Sequence, residues 1–442
     1  MKVARWKVLS LAGALVLGYV ATSEAAQIKV SDDTWANFGL NMKIWYKNLD
    51  KRSNSTSSGG WSQNVFDVTN AKIYFTGQVN KIFQFYGEFD QEKKEASLGE
   101  AGINLAFAKE FQVLAGLIRK PFTKAQINSG YAYLTPQGYW LDPQNPKVIQ
   151  TITEQLKSSD GGLVFHGDLA GGILNYRIGV FNEDRDNLNK IWDYVDGWIP
   201  SSFVGKKDDK KNFEWAARVE FQPLMLGFKP DSAATITGKS ADTWLGAKDV
   251  FIIGLGYNKE KHTPKLRDLG NKSLDRTGWT IDATFEKKFG TLVPNLQAGY
   301  IAMDETHGYI KYDPVTGNEA FKKGDTDIWY IQGQLLYDQV VGLGKPALAF
   351  RYERIKADGE YWDMVDGQTI HKKDLKVSTF GLALNYYIKG QAARISLGFD
   401  TTKYDGAAKA ALKVGNFLGS SSSKIKGEDR ITDWYLYLQS QF

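Results

Sequence analysis

From Ile431 to Phe442 the chain reads ITDWYLYLQSQF. Thr432, Trp434, Leu436, Leu438, Ser440 and Phe442 fall on one side of an extended chain, and Asp433, Tyr435, Tyr437, Gln439 and Gln441 on the other. Successive side chains of a β-strand point to opposite faces, so this period of two predicts a strand with one apolar and one polar face. The pattern recurs. Residues 36–46 set Phe38, Leu40, Met42, Ile44 and Tyr46 against Asn37, Asn41, Lys43 and Trp45. Residues 213–222 set Trp215, Ala217, Val219 and Phe221 against Glu214, Arg218, Glu220 and Gln222, and 391–402 repeat the motif with Ala393, Ile395, Leu397 and Phe399. Sixteen such segments are expected, near 34–47, 65–79, 82–91, 101–109, 111–119, 160–169, 172–181, 213–222, 249–259, 276–288, 294–304, 326–338, 346–356, 376–388, 391–404 and 430–442.

The links between them alternate in length. Asn80-Lys81, Lys109-Glu110, Ala170-Gly171 and Lys389-Gly390 mark short turns, with slightly longer ones at 290–293 and 340–345. Long polar loops are expected near 48–64, 92–100, 120–159, 182–212, 260–275, 305–325, 357–375 and 405–429. One link breaks the rule: 223–248 falls where a short turn belongs, and its prolines and glycines predict an irregular excursion. Two-faced strands with short turns at one end and long loops at the other predict an all-β chain. The expected fold is a 16-stranded antiparallel transmembrane β-barrel with short periplasmic turns and long extracellular loops. Closing the sheet pairs every backbone group, which lets the chain cross lipid. A soluble secreted β-propeller or sandwich would also alternate, but no repeat of propeller length is present.

Composition fits that reading. Mean hydropathy is −0.36 and 24% of the 442 residues are charged, as expected when a lipid face and a polar lumen average out. The absence of cysteine excludes disulfide scaffolds and thiolate metal sites. A net charge of +5 gives no case for nucleic acid. Lys2, Arg5 and Lys7 precede the apolar stretch Val8 to Val20, and Ser23-Glu24-Ala25 follows as a small-x-small site. Residues 1–25 are therefore expected to be a signal peptide, with 26–442 as the barrel. Removing that peptide would bring the formal charge from +5 to +3.

Sixteen strands leave room for an aqueous channel. The predicted wall charges are Lys43, Lys72, Arg177, Arg218, Arg351 and Arg394 opposite Glu88, Asp90, Glu220, Asp282, Glu353 and Asp400, most of them expected to be solvated faces of a wide pore. Their balance gives no net field. Loop 120–159 is the longest and is the expected constriction. With Arg119 at its base it contributes Lys120, Lys124, Lys147 and Lys157 against Asp142 and Glu154, an excess that favours anions. Tyr131, Tyr133, Tyr139 and Trp140 are expected to pack this loop against the wall rather than to form a track for sugars. Trp35, Tyr46, Trp279, Trp329, Tyr386 and Trp434 are candidates for aromatic girdles.

Two stretches resemble a known family. Phe66-Asp67-Val68 followed by Ala71 to Val79, and Leu114-Ala115-Gly116-Leu117-Ile118-Arg119-Lys120-Pro121-Phe122, are similar to motifs of bacterial porins, most closely the phosphate-selective porin O and P family. Thr69 and Asn70 stand where that family often carries two arginines, and Leu117 replaces its usual glutamine. The resemblance implies a homotrimer in the outer membrane of a Gram-negative-type bacterium, with the third long loop folded into the pore. The terminal Phe442 resembles the signal read by the barrel-assembly machinery.

The expected function is passive diffusion of small hydrophilic solutes or ions, with a preference for anions such as phosphate. No cofactor, metal or nucleic acid is called for, and outer-membrane lipid is the expected surroundings. The alternative is a barrel acting as a specific receptor, adhesin or hydrolase. His166 beside Asp168 is the one hint of a triad, but no G-x-S-x-G, P-loop or H-E-x-x-H occurs. Asp184 to Asn187 hints at calcium, but Leu188 and Asn189 break the loop pattern.

Overall fold

In the computed structural model the described residues are 26–52, 61–92, 95–139, 156, 159–182, 212–262, 274–312, 319–365, 368–406 and 430–442. A short strand, β1 (Ala26–Lys29), precedes sixteen long ones. These are β2 (Trp35–Arg52), β3 (Trp61–Gln78), β4 (Phe83–Glu92), β5 (Glu95–Ala106), β6 (Gln112–Arg119), β7 (Ser159–Leu169), β8 (Leu174–Asn182) and β9 (Phe213–Phe221). They continue as β10 (Val250–His262), β11 (Leu274–Glu286), β12 (Leu292–Tyr312), β13 (Glu319–Tyr337), β14 (Lys345–Val365), β15 (Gln368–Lys389), β16 (Ala393–Gly406) and β17 (Arg430–Gln441). Every one of the sixteen segments expected from alternation is a strand.

Each strand from β2 to β17 pairs antiparallel with its sequence neighbours. The ring closes where β17 meets β2, in register from Trp434↔Asn48 to Gln441↔Asn41. Phe442 extends this seam, exchanging backbone hydrogen bonds with Leu40 at 2.8 and 3.0 Å. β1 pairs only with the start of β2, from Ala26↔Phe38 to Lys29↔Trp35. The result is a closed 16-stranded antiparallel barrel. Closure matters because an unpaired backbone group in hydrocarbon costs several kcal/mol.

Burial alternates along the strands as the sequence alternates. In β16 the pattern is iBiBeBiBiBeBii, with Arg394, Ser396 and Thr402 buried and Leu397 exposed. The exposed side carries Leu255, Ile281, Leu296, Leu348, Leu384 and Leu397, a lipid-compatible belt rather than a core. An aromatic girdle rims it. Trp279 packs on Tyr300 at 5.3 Å between ring centres, Trp329 on Tyr352 at 5.0 Å, Phe399 on Trp434 at 4.8 Å and Tyr46 on Phe66 at 5.0 Å. Tyr386, by contrast, serves a turn, with Leu343 N–H and Gly344 N–H both donating to its hydroxyl at 2.8 Å.

One expectation about the links needs correction. The described residues of 48–64, 92–100, 305–325 and 357–375 are strand rather than loop. Pairing runs on to Tyr312↔Glu319 between β12 and β13 and to Val365↔Gln368 between β14 and β15. These extensions mix apolar and charged residues without a sustained alternation, so periodicity gave no sign of them; once two strands are in register, the ladder continues on backbone hydrogen bonds alone. Residues 140–155, 157–158, 183–211, 263–273 and 407–429 of the other long links, and residues 1–25 with their signal-peptide reading, lie outside the described residues.

The short turns are locally encoded. Asn80 Oδ1 accepts from Ile82 N–H at 2.9 Å and Phe83 N–H at 2.7 Å, the side-chain turn that Asn favours. At the β13–β14 turn Asp338 bridges Lys288 and Lys345, the latter at 2.5 Å. Hydrogen bonds from these two lysines hold its carboxyl below the usual carboxylate range. A carboxyl depressed on folding stabilises the fold above its unfolded pKa of roughly 4 and loses that contribution as pH falls through the folded value. Asp338→Asn is therefore expected to lower thermal stability at pH 7 slightly, by well under ~1 kcal/mol because both lysines are part-exposed. The gap to the parent should close in melts below about pH 4.

Candidate functional site: the lumen and its two inserted segments

Among the described residues two segments occupy the lumen, one from each end of the barrel. The first is residues 120–139, from the long loop after β6. Thr123 and Gln126 start a single helical turn, Lys124–Ile127, with a reciprocal cap: Gln126 N–H donates to the Thr123 hydroxyl at 3.2 Å, and Thr123 N–H donates to Gln126 Oε1 at 2.9 Å. Beyond it the backbone carbonyls point at the wall and accept from long polar side chains. Lys43 donates to Gly130 at 2.8 Å, Gln439 to Tyr131 at 3.0 Å, Arg394 to Tyr133 at 2.6 Å, Asn385 to Leu134 at 2.8 Å and Arg351 to Gly138 at 2.6 Å. Opposite, Phe122 lies against β10 and β11 where Gly256 and Gly278 leave room; a Cβ at Gly256 would collide with the Phe122 carbonyl.

The second segment is the excursion between β9 and β10, on the short-turn side. It was expected to be irregular, but not to enter the lumen. Pro223 leads into a tight turn at Leu224–Leu226, and the chain then runs inward to bury Ala233, Asp242 and Thr243. Wall groups hold it from the other side of the ring. Arg177 donates to Gly238 at 3.0 Å, Asn295 and Gln297 to the Asp242 carbonyl at 2.8 and 2.6 Å, and Thr243 to Glu286 at 2.6 Å. His166 Nδ1 contacts the Ala233 carbonyl at 2.9 Å while its Nε2 contacts Asn104 Oδ1 at 2.9 Å. Asp168 accepts from Ala233 N–H at 2.7 Å. Both members of the sequence's one triad hint are thus tied to this segment.

The segments meet in mid-lumen. Asp242 accepts from Asn128 and from the Tyr139 hydroxyl, the latter at 2.6 Å, and Lys124 donates to Ser240 at 3.0 Å. Ser129 N–H donates to the Ser240 carbonyl and Ser240 N–H to the Ile127 carbonyl, at 3.0 and 2.8 Å. Tyr139 stacks edge-on against Tyr133 and Tyr330. Burial raises the hydroxyl pKa of Tyr131, Tyr133 and Tyr139, that of Tyr133 to about 12, so these groups stay protonated donors. Tyr139 packs the loop to the wall through Tyr330, as expected, whereas Tyr131 and Tyr133 also line open space; Trp140 lies outside the described residues.

All twelve predicted wall charges face the lumen, but most are not solvated faces of a wide pore. Arg218, Arg394, Glu220, Arg351, Arg177, Asp282 and Glu353 are at most 3% exposed. Arg218 binds Asp282 at 2.7 Å and Glu220 at 3.0 Å, Arg177 binds Glu220 at 2.8 Å, and Arg351 binds Asp400 and Glu353 at 3.1 and 3.3 Å. The inserted segments cover these groups, and removal from water is tolerated because all but Arg394 are paired with an opposite charge, while Arg394 donates to the Tyr133 carbonyl and to Gln439. Lys43, Lys72, Glu88 and Asp90 lie on the less filled side, with Lys72 bridging Glu88 at 2.8 Å and Asp90 at 3.3 Å.

The expected constriction charges do not converge on one point. Arg119 binds Glu100 at 2.5 Å, Lys120 binds Glu214 at 2.5 Å, and Lys124 turns to Ser240. Lys147, Lys157, Asp142 and Glu154 lie outside the described residues. In place of a ring, there is an open cavity of about 720 Å³ between β2–β4 and the inserted segments. It is lined by Lys43, Lys72, Arg119, Lys239 and Lys248 with Glu88 and Asp231, and by the rings of Tyr74, Tyr86, Tyr131 and Tyr133. Sequence reading missed Asp231, Lys239, Ser240, Asp242 and Lys248. The one available sign was the small and apolar stretch Ala233 to Gly238, unusual for a link facing water. Among the described residues no cluster of His, Asp or Glu could hold a metal ion.

Comparison with known proteins follows the fold. No protein-family model matches the chain. An uncharacterized protein of Aquifex aeolicus (strain VF5) is 28% identical over 349 residues, spanning 76% of this chain and 71% of that protein. Among solved structures, the anion-selective porin from Comamonas acidovorans superposes with a TM-score of 0.51 at 10% identity, covering 93% of this chain and 100% of the porin. The outer membrane channel DcaP of Acinetobacter baumannii gives 0.51 at 10% identity, covering 94% and 99%. The likeness is one of fold, to outer-membrane porin barrels in general and not to the phosphate-selective family in particular. A closed 16-stranded barrel with an apolar outer belt is a transmembrane barrel of the outer membrane.

Proposed function

We propose that this barrel is a passive diffusion channel for small hydrophilic solutes, with a modest preference for anions. The observation that carries this reading is the open cavity beside β2–β4. Among the described residues its cations outnumber the carboxylates that pair with them. Lys72, Arg119, Lys239 and Lys248 are matched by Glu88, Asp90, Glu100 and Asp231, which leaves Lys43 as surplus. Charged side chains lining a narrow lumen bias which ions pass. A surplus of one predicts a bias, not exclusion: an anion-to-cation permeability ratio of about two to five. Reversal potential in a KCl gradient across a planar bilayer measures it. A ratio below one would overturn the anion preference, and absence of conductance would overturn the channel.

The same reading includes a homotrimer, hand-over to the assembly machinery through β17 and Phe442, and cleavage after Ala25. Openings in steps of three, and an N-terminal sequence beginning at Ala26, are the expected results. The two segments packed into the lumen support a second reading, a plugged barrel that acts as a receptor. A folded but non-conducting protein would establish it.

A further inference from the structure

We infer that the cavity beside β2–β4 is a binding site for one hydroxylated monocarboxylate, a sugar acid or hydroxy acid, held at the Lys43 amine. Lys43 is 8% exposed, yet among the cations lining the cavity it alone has no carboxylate partner among the described residues. Its amine donates to the Gly130 carbonyl at 2.8 Å and lies 4.5 Å from the centre of the Tyr131 ring. An ammonium carries three donors, and one carbonyl uses one of them. Removing a cation from water without an opposite charge is costly, so a site of this kind favours an anion that replaces the lost hydration.

The neighbours say what else the anion carries. Asn41 stands two residues before Lys43 on the same face, 6% exposed, and its Oδ1 has no hydrogen-bond partner. The Tyr131 hydroxyl, in a side chain 8% exposed, is likewise unpartnered, and so is the Thr235 hydroxyl across the cavity. An acceptor and two hydroxyls left without partners, all on residues that line the cavity with Lys43, match a ligand bearing several hydroxyl groups. Tyr74 lines the same cavity and supplies apolar ring surface for its C–H groups. A volume of about 720 Å³ suits a small molecule rather than a bare ion. One unmatched cation matches one negative charge; a second would meet Glu88, which also lines the cavity, as a like charge.

This site rests on the channel reading only in that solute must reach the cavity from water. Calorimetry on detergent-solubilised full-length protein tests it without requiring conductance. D-Gluconate and D-galacturonate are expected to bind saturably with one site per chain, D-glucose and inorganic phosphate at least about tenfold more weakly. Lys43→Met should weaken gluconate binding about tenfold or more, and Tyr131→Phe by a smaller factor. In bilayers, gluconate should block chloride current at the concentration at which it binds. Conductance without gluconate binding overturns the site and leaves the channel. Binding without conductance overturns the channel and leaves the site. Phosphate or glucose binding as tightly as gluconate overturns the ligand class. If Lys43→Met does not fold, the ligand comparison on the parent protein and Tyr131→Phe still decide.

Discussion

Replacing residues 224–248 by a two-residue Asn-Gly turn is expected to raise single-channel conductance several-fold while the barrel still assembles. The barrel does not need the excursion. β9 and β10 are already in register from Ile253↔Phe221 to Lys259↔Trp215, so the end of β9 lies opposite the third residue after the start of β10. With Gln222, Pro223 and Asp249 kept on either side, Asn-Gly supplies the turn that lets the chain bridge this short stagger. The lumen does depend on it. Taking it out removes the buried Ala233, Asp242 and Thr243 and frees His166, Asn175, Arg177, Glu286, Asn295 and Gln297 to face water. Because water enters, those wall groups are not left unsatisfied, so the stability loss is small compared with the same deletion in a dry core.

A second effect should accompany the first. Asp242 and Ser240 are the partners that Asn128, Tyr139 and Lys124 lose, so segment 120–139 keeps only its wall contacts. The open state of the deletion variant should therefore be noisier than that of the parent. Planar-bilayer recording checks both. An unchanged conductance would mean that current never passes the excursion, and the assignment of the cavity as the path would fall.

The staves of the barrel were legible because they are local. A period of two in eleven residues fixes which side meets lipid, and Trp434-Tyr435-Leu436-Tyr437 carries that information without reference to any other strand. Wall charges were legible for the same reason, since Arg218 and Glu220 must share a face. Their pairing was not. Asp282 reaches Arg218 across β10, a relation set by register between three strands. The excursion was hardest to read. Its inward turn depends on Asp242 finding Asn128 and Tyr139 more than a hundred residues earlier, and nothing in its own sequence names those partners. For the same reason Lys120 and Lys124 looked like constriction charges, although Glu214 and Ser240 had claimed them.

Arg218→Ala is expected to be the most destabilising single substitution in the wall. Arg218 is fully buried in β9, and its guanidinium donates to both oxygens of Asp282 at 2.7 and 2.8 Å and to Glu220 at 3.0 Å. It lies across β10 where Gly254 pairs with both Glu220 and Asp282; a Cβ there would strike the guanidinium. Glu220 keeps Arg177 at 2.8 Å when Arg218 is lost. Asp282, 3% exposed, loses its two guanidinium hydrogen bonds. Breaking a buried pair from one side costs about 3–5 kcal/mol, because the remaining charge stays desolvated. Guanidinium-chloride unfolding of the micelle-bound protein should show that loss. Removing both charges is a different case: Arg218→Met with Asp282→Asn should recover most of it, since a neutral pair of similar volume carries no desolvated charge. Gly254→Ala should fall between the two, by forcing the guanidinium off its carboxylates. If Arg218→Ala shifts stability by less than about 1 kcal/mol, Asp282 must be reaching water. The lumen beside β9–β11 would then be wet, and the current path would run there instead of beside β2–β4.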